Sequence, residues 1–201
     1  GGENRLTKLV RKWYTNKNNE TGMHMGNIRQ RMLVVDGNSI LNRAFYGIRA
    51  LSTRDGQPTN AIYGMVNIVT SHWERVKPDY AAMAFDLKAP TFRHKLYDEY
   101  KAGRRPTPEE LLSQFALAKE VARALGFHVI EREGFEADDI LGTLSSLCAR
   151  NDCDCYVLTG DRDALQLIDP HVHVLLATNS DTIDYTEQVF FEKYGVMPCQ
   201  F

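Results

Sequence analysis

Residues 32–36 read MLVVD, four apolar side chains ending on an acid, and this unit sets the terms for the rest of the chain. A short, β-branched run without polar alternation is the pattern of a strand buried on both faces, as in a parallel sheet covered by helices. The same unit returns along the sequence. AAMAF (81–85) runs into Asp86, HVIE (128–131) precedes EADD (136–139), CYVLT (155–159) precedes GDRD (160–163), and HVHVLLA (171–177) supplies a fifth candidate strand. Between these runs, apolar residues recur at helical spacing: Leu41, Phe45 and Ile48, then Ile62, Met65, Val66, Val69, Trp73 and Val76 ahead of Pro78. Further helices are predicted over 108–125 with Gly126 as cap, over 137–150, briefly over 163–168, and over 186–195. Strands alternating with helices predict an α/β fold, a mostly parallel central sheet with helices on both faces.

The composition fits one such domain. Of 201 residues, 43% are hydrophobic and 25% charged, which excludes disorder and collagen-like repetition. No apolar run approaches the roughly 18 residues that would cross a bilayer, so no membrane partner is expected. Cys148, Cys153, Cys155 and Cys199 lack the spacing of a zinc site and are read as reduced thiols of a cytoplasmic protein. The net charge of −2 conceals a division, because residues 1–31 carry seven basic against two acidic side chains. That segment is expected to be a poorly ordered basic leader or an added extension, with a short amphipathic helix around Leu6 to Tyr14. A leader that grips nucleic acid is the alternative. The domain proper is placed at 32–201.

Acidic groups gather at equivalent places: Asp36 after MLVV, Asp86 after AAMAF, Glu136, Asp138 and Asp139 beyond HVIE, and Asp161 and Asp163 beyond CYVL. The carboxyl edge of an open parallel sheet is where ligands bind, because the loops diverge there and the next helices point their N-termini into the crevice. Taken singly, EADD or DRD is more often a capped helix start than a metal site. Taken together, the groups repel: two carboxylates about 5 Å apart cost about 3 kcal/mol at an effective dielectric near 20. Either most are protonated or a cation neutralises them. Oxygen ligands without a histidine or cysteine cluster select Mg²⁺ or Mn²⁺, and in a two-metal site one ion lowers the pKa of the attacking water while the pair stabilises both oxygens of the displacement. Phosphodiester hydrolysis is the expected chemistry.

Immediately after Asp86, Lys88, Arg93, Lys95, Lys101, Arg104 and Arg105 face only Asp98 and Glu99. A charge run alone is usually a solvated loop. At the mouth of an acidic crevice it can hold phosphates, with Tyr97 or Tyr100 stacking on a splayed base. Other features are set aside. His171 and His173 read as strand packing, Gly37 and Gly160 belong to no phosphate-loop pattern, and Ser39 lacks a histidine base and reads as helix capping.

Four motifs in order, VVDGNSILNRAFYGI (34–48), FDLKAPTFRHKLYDEYKAGRRPTP (85–108), GFEADDILGTL (134–144) and LTGDRDALQLI (158–168), resemble the 5′ nuclease (flap endonuclease) domain at the amino end of bacterial family A DNA polymerases. The resemblance runs from Met32 to the last residue. It implies a PIN-like 5′ nuclease fold with a basic arch after the second strand, two divalent ions, and hydrolysis of 5′ flaps, nicked DNA or RNA primers. By motif position, Asp36, Asp86, Glu136 and Asp138 correspond to ligands of the first ion, with Asp139 beside them, and Asp161 and Asp163 to part of the second site. Arg43 and Arg93 correspond to residues approaching the substrate backbone. Lys101 and Arg104 correspond to arch residues engaging the scissile phosphate, with Lys95, Tyr100 and Arg105 along the threaded strand.

The resemblance also implies a continuation past the EKYG helix into a helix-three-turn-helix element and a GDxSDN-type motif completing the second metal site. The chain given ends at Phe201. Strong binding of one ion, weak binding of the other and poor cleavage or none are therefore expected, with a polymerase domain downstream in the parent. Two other readings stay open: a PIN-type ribonuclease with a similar acidic crevice, and a non-catalytic module that recognises branched DNA. A phosphatase of small phosphate esters fits the basic segment least.

Overall fold

Strand β1 (Arg31–Asp36) begins one residue before MLVVD and is buried from Met32 onward. The computed structural model describes residues 29–87, 89, 91–93, 106–178 and 181–200. Most of the leader, including the helix expected near Leu6 to Tyr14, lies outside the described residues, as does the arch with Lys95, Tyr100, Lys101, Arg104 and Arg105.

After β1 come α1 (Gly37–Gly47), α2 (Asn60–Val76), β2 (Tyr80–Phe85), the single turn α3 (Glu109–Leu112), α4 (Phe115–Ala124) and β3 (His128–Glu131). Then follow α5 (Ala137–Arg150), β4 (Asp154–Thr159), a 3₁₀ turn (Arg162–Leu167), β5 (Val172–Ala177), β6 (Thr182–Tyr185) and α6 (Glu187–Tyr194). The strands form one sheet in the order β3-β2-β1-β4-β5-β6. Every pair is parallel except β5 with β6. Alternation along β1 feeds two cores: Met32 and Val34 pack with Ile140, Leu141 and Leu144 of α5, while Leu33 and Val35 pack with Met65 and Val69 of α2 and Ala118 of α4. Helices therefore cover both faces, which is why β1 tolerates no polar alternation.

Two elements differ from the sequence reading. The helix expected over 108–125 is divided at Ser113 and Gln114, where the Gln114 N–H bonds the Leu111 carbonyl in a tighter turn. Gln114 is fully buried, its Oε1 accepting from the Ala61 and Ile62 amides at the start of α2 and its Nε2 donating to Asn60 Oδ1. The kinked segment thus caps a neighbouring helix. The second difference is β6, an antiparallel edge strand of four residues, TIDY, too short and too polar to register as a strand by pattern.

The order of strands has one consequence for function. Chain order runs outward from β1 to β2 and β3, then crosses back to β4 on the other side of β1. The carboxyl ends of β1 and β4 therefore flank the point where the winding reverses, the place where open α/β sheets hold ligands. Asp36 ends one of these strands and Asp161 follows the other by two residues.

Candidate metal centre

Asp36, Asp86, Glu136, Asp138 and Asp161 line one cleft of about 560 Å³ at this edge. Each is placed by a helix start. Asp36 caps α1, its Oδ1 accepting the Ser39 N–H at 2.9 Å. Asp86 Oδ1 accepts the Ala137 N–H at 2.6 Å, which fixes the first turn of α5 against the end of β2. The Asp86 amide in turn donates to Asn38 Oδ1 at 2.9 Å, tying β2 to α1. Asp161 caps the 3₁₀ turn by accepting from the Asp163 amide at 3.0 Å. Capping a helix start and lining the cleft thus go together. Helix amides fix one side of each of these three carboxylates while the residue faces the cleft.

The electrostatics are those of a site short of positive charge. Asp36 is 4% exposed, and its pKa is pushed up to about 6, first by burial and then by the charges of Asp138 and Asp86, against the lowering effect of its hydrogen bonds to Ser39 and Thr159. Among the described residues Asp36 makes no ion pair. The donor set is all oxygen, hard and anionic, and fits a divalent ion of the Mg²⁺ or Mn²⁺ type. The gathering is looser than a finished coordination shell, since no three acidic, imidazole or thiol side chains among the described residues stand close enough to hold one ion together.

Two of the expected ligands stand elsewhere. Asp139 does not line the cleft; it lies in an adjoining hollow, where Arg93 grips it with two hydrogen bonds of 2.8 and 2.9 Å. Its Oδ2 also accepts the Glu136 amide at 2.9 Å, so Asp139 organises the start of α5. Asp163 is exposed on the 3₁₀ turn and does not line the cleft. Arg93, expected on the substrate backbone, reaches within 3.7 Å of Glu136 Oε2 as well. Arg43 lines a larger hollow of about 970 Å³ that shares Ser39 and Asn42 with the cleft. The two described arginines therefore flank the carboxylates on different sides. His171 and His173 take no part; His173 Nδ1 bonds Asp184 at 3.0 Å, and its ring packs on Tyr156.

The family model for the 5′-3′ exonuclease, N-terminal resolvase-like domain matches residues 31–195. The chain belongs to that family. Relatives in the family include DNA polymerase I of Caldicellulosiruptor bescii, 44% identical over 174 residues that make up 85% of this chain and 20% of the relative. DNA polymerase I of Bacillus caldotenax is 38% identical over 175 residues, 86% of this chain and 20% of the relative. The chain thus spans about a fifth of the length of these curated relatives. Among solved structures, the bacteriophage T5 5′-exonuclease with bound divalent metal ions (zinc) matches at a TM-score of 0.65 and 18% identity, covering 83% of this chain and 62% of that one. The fold is that of this 5′ nuclease.

Several residues of the site carry no sequence signal. Lys119 of α4 stands in the cleft wall, paired with Glu131 at 2.5 Å, yet in the sequence it is one more charge on the polar side of an amphipathic helix. Asn38, Ser39 and Thr159 are linkers between ligand-bearing segments, and nothing but the folded geometry reveals them.

Proposed function

We propose that the chain is a divalent-metal-dependent 5′ nuclease that hydrolyses phosphodiesters of DNA at 5′ flaps or nicks, and of RNA primers, as the amino-terminal part of a cytoplasmic DNA polymerase I. The observation that carries this reading is the convergence of five carboxylates from four chain segments on one cleft at the winding reversal of the sheet. Membership in the 5′-3′ exonuclease family supports the reaction class. A variant of the bacteriophage T5 flap endonuclease solved with DNA and metal ions supports the substrate class. No helix among the described residues is long and apolar enough to cross a membrane, and Cys148, Cys153 and Cys155 are buried free thiols, in keeping with a reducing compartment.

On this reading Asp36, Asp86, Glu136 and Asp138 hold a first Mg²⁺, and Asp161 with Asp163 contributes to a second, Mn²⁺ serving in place of either. Bound there, such an ion supplies neutralisation of phosphate charge and activation of water. The chain's own residues do the rest. Arg43, Lys119 and Arg93, in or beside the cleft, hold substrate phosphates against its acids, and Asp139 fixes Arg93 for that task. Lys101 and Arg104 contact the scissile phosphate, with Lys95, Tyr100 and Arg105 along the threaded strand. The test compares 5′-flap DNA, single-stranded RNA and blunt duplex, with and without Mg²⁺, using the chain and Asp36→Ala. Mg²⁺-dependent cut products from the flap, absent in Asp36→Ala while flap binding persists, are expected. Preferential cleavage of the RNA would turn the reading to a ribonuclease, and flap binding unaffected by metal, with no cleavage under any condition, would turn it to a recognition module.

A further inference from the structure

Asp36 and Asp161 come from strands that are neighbours in the sheet but distant in sequence, and one side chain joins them. Thr159, the last residue of β4, is fully buried. Its hydroxyl lies 2.8 Å from Asp36 Oδ2 and accepts the Asp161 N–H at 3.0 Å. A threonine hydroxyl has a single proton. With the amide of Asp161 directed at the oxygen, that proton points to Asp36. A second arm runs in parallel: Asp36 Oδ1 accepts the Ser39 amide at 2.9 Å, and Ser39 Oγ accepts the Gly160 amide at 2.9 Å. The two arms close a ring across the winding reversal of the sheet, with both oxygens of Asp36 in it. A Cβ at Gly160 would lie 3.0 Å from Ser39 Oγ and 2.9 Å from Arg43 Nε, so a side chain there would push Arg43 aside and crowd the Ser39 arm.

We propose that Thr159 is a positioning residue, which sets the orientation of the Asp36 carboxylate and the placement of Asp161 for a divalent ion. The inference rests on the reading of the cleft as a metal site and adds a residue that touches neither ion nor substrate. Hydrogen bonds behind a metal ligand fix its orientation, and their loss typically lowers affinity by about 10- to 100-fold. Valine has the shape of threonine without the hydroxyl, so Thr159→Val removes both bonds and leaves the packing in place.

The experiment is a Mn²⁺ titration of the chain, with free ion followed by electron paramagnetic resonance, on the wild type, Thr159→Val, Thr159→Ser and Asp36→Asn, and thermal unfolding of each without metal. Thr159→Val is expected to bind Mn²⁺ about 10- to 100-fold more weakly, and Thr159→Ser, which keeps the hydroxyl, within about threefold of wild type. Rescue by serine separates positioning from mere packing, because serine lacks the methyl group that packs. If Thr159→Val does not fold, Thr159→Cys keeps the volume with a weak donor and is expected to fall between serine and wild type on one side and Asp36→Asn on the other. Wild-type affinity in Thr159→Val or Thr159→Cys, or equal weakening by Thr159→Ser, overturns the proposal while leaving the cleft reading intact. A wild type that binds no Mn²⁺, or an Asp36→Asn that binds it as tightly as wild type, overturns the cleft reading and this inference with it.

Discussion

Two aspartates on the same sheet have opposite fates. Asp184, on the edge strand β6, accepts from His173 at 3.0 Å and pairs with Arg75 at 2.9 Å, and these partners, His173 foremost, hold its carboxyl below the ordinary value of 3.8. Asp36, at the centre, is more deeply buried, faces other carboxylates and is driven up to about 6. A carboxylate supplied with cationic partners by its own chain serves the fold. One left among like charges, held by amides and a hydroxyl, is suited to a partner that the chain does not supply. This difference separates scaffold from site more cleanly than a count of acidic residues does.

The comparison can be broken at several points. The largest effect is expected for Asp36→Asn, which loses divalent-ion binding by more than about 100-fold, beyond what removal of a supporting hydrogen bond does. The same substitution is expected to stabilise the metal-free chain at pH 7, by at most about 3 kcal/mol, because a buried charge is removed. Urea unfolding checks the sign; clear destabilisation would contradict the account of Asp36. Next, Arg93→Ala strips Asp139, itself only 20% exposed, of a partner that makes two hydrogen bonds to it, and a loss of about 1 to 2 kcal/mol is expected in the same assay. Smaller is Asp184→Asn, with an expected loss of about 1 kcal/mol at neutral pH for a partly exposed network.

The pH dependence sharpens the contrast because the two aspartates have opposite signs. For Asp36 the folded pKa is raised, so the metal-free chain loses stability as pH rises from about 4 through about 6. For Asp184 the folded pKa is lowered, so its contribution is present above the unfolded value and lost as pH falls through the depressed one, below 3.8. Unfolding curves between pH 3 and 7 should flatten between about pH 4 and 6 for Asp36→Asn and at the acid end, below 3.8, for Asp184→Asn.

Much of this was legible in the sequence because it rests on short-range pattern. MLVVD and AAMAF read as buried strands, and both are buried throughout the sheet interior. Five of seven expected acidic residues line the cleft, since a strand-end acid has few places to go other than the carboxyl edge. Asp139 stands beside the cleft for a reason of helical geometry: it lies one residue beyond Asp138, a rotation of about 100° around α5, which turns it to Arg93. Asp163 stands off the cleft because a 3₁₀ turn follows Asp161 and carries it outward. Thr159, Ser39 and Asn38 were beyond reach, because their importance lies in partners up to 123 positions away and no local spacing encodes that. The Gln114 cap escapes the pattern on the same grounds, and β6 because TIDY is short and polar.

The central claim is that the carboxyl edge between β1 and β4 is built to take a divalent cation. Crystals of the chain grown with Mn²⁺ and measured at a wavelength where manganese scatters anomalously test it most directly. The account predicts an anomalous difference peak in the cleft among Asp36, Asp86 and Asp138. A clean map with no peak there, at a Mn²⁺ concentration that supports cleavage of flap DNA, would contradict it.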